Sequence, residues 1–264
     1  MMTEKKYPVI FSGAGPGDPE LITVKGMKAL ENADLIIYAG SLVPEAVLKW
    51  AKEDTTILNS ASMHLEEIVT AMSEAINRGE RVVRLHTGDP ALYGAIFEQM
   101  KELDKLDITY EVIPGVTAAF AAAASMGIEY TLPEVTQTLI LTRMAGRTPV
   151  PEAESLDSLA KHQASMSIYL SITLIDKVAE ILIKHYGGES TCAIAFRVSQ
   201  PEERIIYCPL NELEETVKKE SINHQALIIV GKSLDVKTKD LAFKSKLYDK
   251  GFTHDYRTAT DLPE

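Results

Sequence analysis

The sequence predicts an α/β protein of two domains, and three observations carry that prediction. Short β-branched runs alternate with amphipathic helical patterns along most of the chain. Several of the runs lead directly into glycine turns. The length of 264 residues suits two modest cores or one large one, at about 100–200 residues per domain.

Taken in order, residues 7–13 (YPVIFSG) read as a buried strand ending in glycines. A helix follows to about Ala33, with Val24, Met27 and Leu30 on one face. Either Asp18 caps it, with Pro19 at the first helical position, or Thr23 caps it a turn later. Residues 35–38 form the next strand, 44–51 a short helix and 56–58 a short strand. Leu65, Ile68, Val69, Met72 and Ile76 make one stripe of a helix over 64–77, which Gly79 stops. Residues 82–85 form a strand, followed by a glycine turn and a helix through Met100, and 110–113 form a strand ending at Pro114-Gly115. This succession implies a mainly parallel sheet with helices on its faces.

An alanine-rich helix over 117–126 opens the second half. Strands follow at 138–142, 167–170, 192–196, 204–207 and 227–230, with helices near 156–162, 175–186 and 210–219. This half also reads as α/β, with more antiparallel pairing, and 196–206 reads as a hairpin around Ser199-Gln200-Pro201. The expected division is a first domain over 1–115, a second over 116–236, and a charged tail without periodicity over 237–264.

Composition excludes several classes of function. The net charge of −11, from 38 acids and 27 bases, argues against nucleic-acid binding, which needs a basic face. It leaves room for a local basic pocket. Cys192 and Cys208 cannot make a disulfide framework and lack the spacing of a zinc site. The six histidines show no HxH or HExxH spacing, so no protein-bound metal is expected. The start of the chain lacks a signal-peptide core. The most apolar stretch, 116–126, is too short to span a bilayer, which takes about 20 apolar residues. The expected compartment is the cytoplasm, away from membranes.

The sharpest local feature is Gly13-Ala14-Gly15-Pro16-Gly17-Asp18-Pro19, three alternate glycines straight after a strand. It is not a P-loop, and its third glycine comes one residue early for the dinucleotide-binding GxGxxG. A tight connection and a ligand loop both remain open on these residues alone. Thr87-Gly88-Asp89-Pro90 and Pro114-Gly115-Val116-Thr117 follow two further strands. Three such turns at the carboxyl ends of one sheet would converge where open α/β sheets bind ligands. Asp89 suits a cation or hydroxyl donors better than a phosphate.

GAGPGDPELIT, RVVRLHTGDPALYG and YEVIPGVTAAFAAAA, in that order, resemble the signatures of the tetrapyrrole methylase family. The stretch EVTQTLILTRMAGRTPVPEAESLDSLAKH, with CAIAFRVSQPEERII and QALIIVGKSL, is similar to one branch, which methylates carbon 11 of a corrin precursor at the precorrin-4 level. The likeness covers residues 8–236. It implies two α/β domains, each a mixed sheet flanked by helices, with the cofactor in the inter-domain cleft of a homodimer. The implied methyl donor is S-adenosyl-L-methionine, the product S-adenosyl-L-homocysteine, and the partner an anionic tetrapyrrole. By motif, Pro16, Thr87, Gly88, Asp89, Leu92, Thr117 and Ala118 would contact the donor, with Leu170 and Ala226 from the second half. The uroporphyrinogen-III methyltransferases of the family typically carry an Asp just after the Tyr38 position and a Lys near Asn59–Ser60. Here those stretches read Tyr38-Ala39-Gly40-Ser41 and Leu58-Asn59-Ser60-Ala61, so the proton acceptor and any catalytic residue stay unassigned.

A tetrapyrrole rich in carboxylates needs guanidinium partners. Arg143 and Arg147 flank Met144-Ala145-Gly146 after a strand and are the candidates; ordinary surface arginines would look the same. Arg78, Arg81 and Arg84 read as surface or strand-edge charges, with Arg84 the exception to watch because it approaches the Gly88 turn. His86, beside that turn, could touch substrate or be structural. The implied reaction is a C-methyl transfer giving a precorrin-5-level intermediate of cobalamin biosynthesis. The rivals are a sibling enzyme acting on another tetrapyrrole carbon and a non-catalytic cofactor-binding protein.

Overall fold

The computed structural model describes residues 7–237, 245 and 248–260. The chain forms two compact units, Met1–Ser125 with Arg197–Arg204, and Met126–Phe196 with Ile205–Glu264. Much of the expected tail, 237–264, lies outside the described residues. Among those described, no helix is long and apolar enough to cross a membrane, and no group of three or more His, Cys, Asp or Glu could hold a metal ion.

The first unit is built on β1 (Val9–Gly13), β2 (Leu35–Tyr38), β3 (Thr56–Asn59), β4 (Val82–His86) and β5 (Tyr110–Ile113). They lie in the order β3-β2-β4-β1-β5, and every pairing is parallel. Mixed pairing is therefore confined to the second unit. Strands β2 and β4 are buried along their whole length, as expected of strands covered on both faces; β2 is an unbroken apolar run, and β4 carries Arg84 and His86 among its apolar residues. On one face Phe11, Ile37 and Val82 pack with Met72 of α2 (Leu65–Asn77) and Leu103 of α3 (Ile96–Lys105). On the other, Ile36, Val83 and Leu85 pack with Leu30 of α1 (Val24–Glu31) and Val47 of the 3-10 helix Glu45–Trp50.

Both proposed caps for the first helix are used. Asp18 accepts from Glu20 N–H and opens a 3-10 turn, Pro19–Leu21, and Thr23 accepts from Gly26 N–H and opens α1. Gly26 lets α1 settle onto β1, since a Cβ there would stand 2.9 Å from Ser12 Oγ. Helix α3 runs past Met100 to Lys105.

The second unit holds β6 (Leu139–Arg143), β7 (Ser165–Tyr169), β8 (Thr191–Phe196), β9 (Arg204–Pro209) and β10 (Ala226–Val230), in the order β6-β7-β10-β8-β9. Strands β6 and β7 are parallel, and β10 is antiparallel to both β7 and β8. Met166, Ile168, Cys192, Ile194, Ile228 and Val230 form one core face. They pack on α5 (Leu156–Ala160), α6 (Ile175–Tyr186) and α7 (Leu213–Lys219). Helix α4 (Ala118–Met126) buries Ala119, Ala121 and Ala122, the close packing an alanine run permits. The division between the units falls after Ser125 near its end, one helix beyond residue 115.

Candidate active site

Strand β1 lies between β4 and β5, and all three run the same way. Their carboxyl ends therefore deliver the three glycine turns side by side. The turns touch through backbone. A Cβ on Gly13 would stand 2.5 Å from Gly88 O and 2.6 Å from Gly115 Cα, and a Cβ on Gly115 would collide with Gly88 O. No larger residue fits at either position without moving main chain.

Hydrogen bonds fix the same contact. Gly88 N–H donates to Gly15 O at 2.8 Å, Gly15 N–H to Gly88 O at 3.3 Å, and Ala14 N–H to His86 O at 2.7 Å. Gly88 has φ +58°, the left-handed conformation glycine adopts at low cost. Asp89 accepts from Ala91 N–H at 2.8 Å through Oδ1 and from Gly115 N–H at 2.9 Å through Oδ2. It thus fastens the second turn to the third while remaining half-buried. Pro16 and Thr117 are buried, and Leu92 and Ala118 half-buried, around this junction.

One partner of the first turn escaped the sequence reading. Asp18 N–H donates to Ser199 Oγ at 2.9 Å, and Gln200 packs where a Cβ on Gly17 would stand. Segment 197–204 belongs to the same compact unit as the turn. Its geometry is held by Gln200 N–H donating to Arg197 O and by left-handed Arg197 and Ser199. A contact across 181 positions has no local signature.

In the second unit the turns after β6 and β7 are joined, because Ser171 Oγ donates to Tyr169 O and accepts from Met144 N–H. Leu170 leaves β7 at φ +53° with 61% of its surface exposed. A branched apolar residue in the left-handed region and in solvent marks stored strain. The antiparallel register pairs Ile228 with Ile168, so β10 opens at Ala226 near the end of β7, which Leu170 follows. Arg143 donates to Thr148 O at 3.2 Å and Pro149 O at 2.8 Å, shaping the loop that carries Arg147. Arg147 itself is exposed.

Arg84 and His86 project from β4 into the layer under α3, 5% and 4% exposed. Arg84 donates to Gln99 Oε1 at 3.0 Å and to Ile37 O at 3.1 Å. Burial lowers its pKa to about 10. His86 is held neutral: burial, and secondly the Arg84 charge, push its pKa down to about 3. Its Nε2 is enclosed with no hydrogen-bond partner among the described residues. Arg78 and Arg81 are surface groups, paired with Glu80 and Tyr7.

A family model described as Tetrapyrrole (Corrin/Porphyrin) Methylases matches residues 8–214. The chain belongs to the tetrapyrrole methylase family. Among curated members it is 55% identical to the cobalt-precorrin-4 C(11)-methyltransferase of Methanocaldococcus jannaschii, over 94% of this chain and 95% of that one. It is 45% identical to the precorrin-4 C(11)-methyltransferase of Pseudomonas aeruginosa, over 94% and 98%. Among solved structures, a cobalt precorrin-4 methyltransferase superposes with TM-score 0.85 at 43% identity, covering 89% of this chain and 99% of that one. A uroporphyrin-III C-methyltransferase from Thermus thermophilus complexed with S-adenyl homocysteine gives TM-score 0.72 at 25% identity, covering 87% and 94%.

The two stretches that depart from the pattern expected of uroporphyrinogen-III methyltransferases lie side by side. Ser60 Oγ donates to Tyr38 O at 3.0 Å, and Asn59 packs on Gly40. The two stretches are thus adjacent and filled by neutral groups.

Proposed function

We propose that the chain transfers the methyl group of S-adenosyl-L-methionine to carbon 11 of precorrin-4 or cobalt-precorrin-4, giving a precorrin-5-level product. The observation that carries the reading is the backbone junction of Gly13, Gly88 and Gly115, fastened by Asp89, in a chain 55% identical to a cobalt-precorrin-4 C(11)-methyltransferase. When bound, the donor supplies a methyl carbon on a positively charged sulfur, which an electron-rich ring carbon takes as S-adenosyl-L-homocysteine leaves.

The three turns suit such a ligand. Residues 13–19, 86–90 and 113–118 contain no Lys or Arg to repel a cation, and the Asp89 carboxylate lies among them. Each Asp89 oxygen spends one acceptor site on a backbone N–H and keeps another for a hydroxyl or ammonium donor. Pro16, Thr87, Gly88, Leu92, Thr117 and Ala118 complete the proposed donor contacts, and in the second unit Leu170 and Ala226 take the same role.

Arg147, exposed on the loop that Arg143 shapes, is proposed to pair with substrate carboxylates, with Arg143 setting the loop. His86 is a poor general base, because a group with pKa about 3 binds protons too weakly to work near neutral pH. Positioning of donor and acceptor carries the rate in this reading. A homodimer accords with the family resemblance.

The test is incubation with donor and the precorrin-4-level intermediate, with and without cobalt, followed by NMR location of the added methyl. A methyl on another ring carbon overturns the C11 assignment, and donor binding without turnover overturns the enzymatic one.

A further inference from the structure

Cys192 and Cys208 belong to the core of the second unit and take no part in the site described above. Cys192 is the second residue of β8 and Cys208 the fifth of β9, neighbouring strands at one edge of the second sheet. Their sulfurs are 3.5 Å apart, and Cys192 Sγ also donates to Cys208 O at 3.2 Å. Both are free thiols. Cys192 is fully enclosed and Cys208 is 8% exposed.

Isolated buried cysteines act as small apolar residues. Two thiols in contact across adjacent strands are a different object. A disulfide needs its Cβ atoms about 3.8 Å apart and its sulfurs about 2 Å apart, and these sulfurs already face one another. We propose that Cys192 and Cys208 form a dithiol modification site, oxidised reversibly by a small-molecule disulfide to a bond that staples edge strand β9 to β8.

The chemistry assigns an order. The Cys192 side chain and Thr216 of α7 hydrogen-bond the Cys208 sulfur and lower the pKa of its thiol. The hydrogen bond with Cys208 and burial push the Cys192 thiol up. Cys208, more exposed and more acidic, attacks a sulfur of the external disulfide and releases one thiolate. Cys192 then loses its proton and displaces the second thiolate from the mixed disulfide. Two protein S–H bonds are exchanged for one S–S bond, and the external disulfide is reduced to two thiols. An external dithiol reverses the sequence.

The folded full-length chain is equilibrated in graded ratios of oxidised to reduced glutathione, acid-quenched, alkylated and analysed by mass spectrometry. The expected result is one transition in which both thiols disappear together, the mass falls by two hydrogens, and a peptide linking Cys192 to Cys208 appears. The native circular-dichroism spectrum should persist. In Cys192→Ala, Cys208 should stop at the glutathione mixed disulfide, and in Cys208→Ala, enclosed Cys192 should stay a thiol. Persistence of both free thiols in the folded chain at the oxidising end overturns the proposal, as does a crosslink that forms only after unfolding in urea.

Discussion

Asp89 and Gly115 are joined by a hydrogen bond of 2.9 Å from the Gly115 N–H to the Asp89 carboxylate, which ties the turn after β4 to the turn after β5. The other carboxylate oxygen holds Ala91 N–H. In Asp89→Asn one of the two backbone donors faces an NH2 group. Losing a charge-assisted bond costs roughly 1.5–3 kcal/mol, so the Kd for S-adenosyl-L-homocysteine, measured by calorimetry, should rise by about tenfold or more. An unchanged Kd separates this tie from the donor site.

The glycines divide by what surrounds them. Gly115→Ala and Gly13→Ala drive a Cβ into main-chain atoms and should unfold the chain or cost roughly 3 kcal/mol or more, since a backbone clash at packed strand ends cannot relax locally. Gly88→Ala meets its nearest atom only at 3.6 Å, so it should cost only the left-handed strain, about 1–2 kcal/mol. Urea denaturation of the three variants gives the order, and equal losses would contradict it.

Arg147→Ala should leave the melting temperature unchanged and raise KM for the tetrapyrrole by about tenfold to a hundredfold, the loss of one charge-assisted bond. Arg143→Ala should lower the melting temperature as well, because two loop carbonyls lose their donor. Donor affinity should hold in both. A rise in donor Kd without a change in tetrapyrrole KM would move these arginines to the donor side.

Leu170→Gly removes left-handed strain of roughly 1–2 kcal/mol and adds chain entropy worth roughly 0.5–1 kcal/mol to the unfolded state. With 61% of the side chain exposed, little packing is lost. The melting temperature should therefore change by a degree or two at most while donor affinity falls. A large stability loss would mean that Leu170 is held for packing rather than for ligand contact.

His86 imposes a pH signature on stability. Its folded pKa, about 3, lies below the unfolded value near 6.5, so the unfolded chain binds the extra proton. The stabilisation is fully present above pH 6.5 and is lost as pH falls from there towards 3, at up to about 1.4 kcal/mol per pH unit. His86→Gln should flatten this limb and reduce turnover only modestly. A loss of 10²–10⁴-fold in rate with both affinities intact would make His86 the base instead, the range general catalysis supplies.

Much of this was legible in one dimension. Every strand was placed from the sequence to within two residues at either end, because a short apolar or β-branched run bounded by turn residues marks a strand whether or not both faces are covered. The Gly13, Gly88 and Gly115 turns were visible as turns, because glycine alone tolerates such close approach. Leu170 looked like the last residue of a strand, yet β7 ends at Tyr169. Its left-handed backbone is flanked by the Ser171 bridge between Tyr169 and Met144, which no local pattern encodes. Arg84 stood apart from Arg78 and Arg81 in the sequence only by its approach to the Gly88 turn; its burial was not legible, because an arginine between apolar residues carries no mark of whether a helix covers it.

The sequence by itself determined the alternation of strands and helices, the places where the chain turns on glycine, and the family, since each depends on local order along the chain. Only the tertiary structure decided that β1 stands between β4 and β5, and so that Gly13, Gly88 and Gly115 meet. It also decided that Asp89 spends two acceptor sites on backbone, that Ser199 reaches Asp18 across the chain, and that His86 is buried neutral. Hydrogen bonds and desolvation depend on what lies nearby in space. Strand order sets that proximity, and residues far apart in sequence supply it.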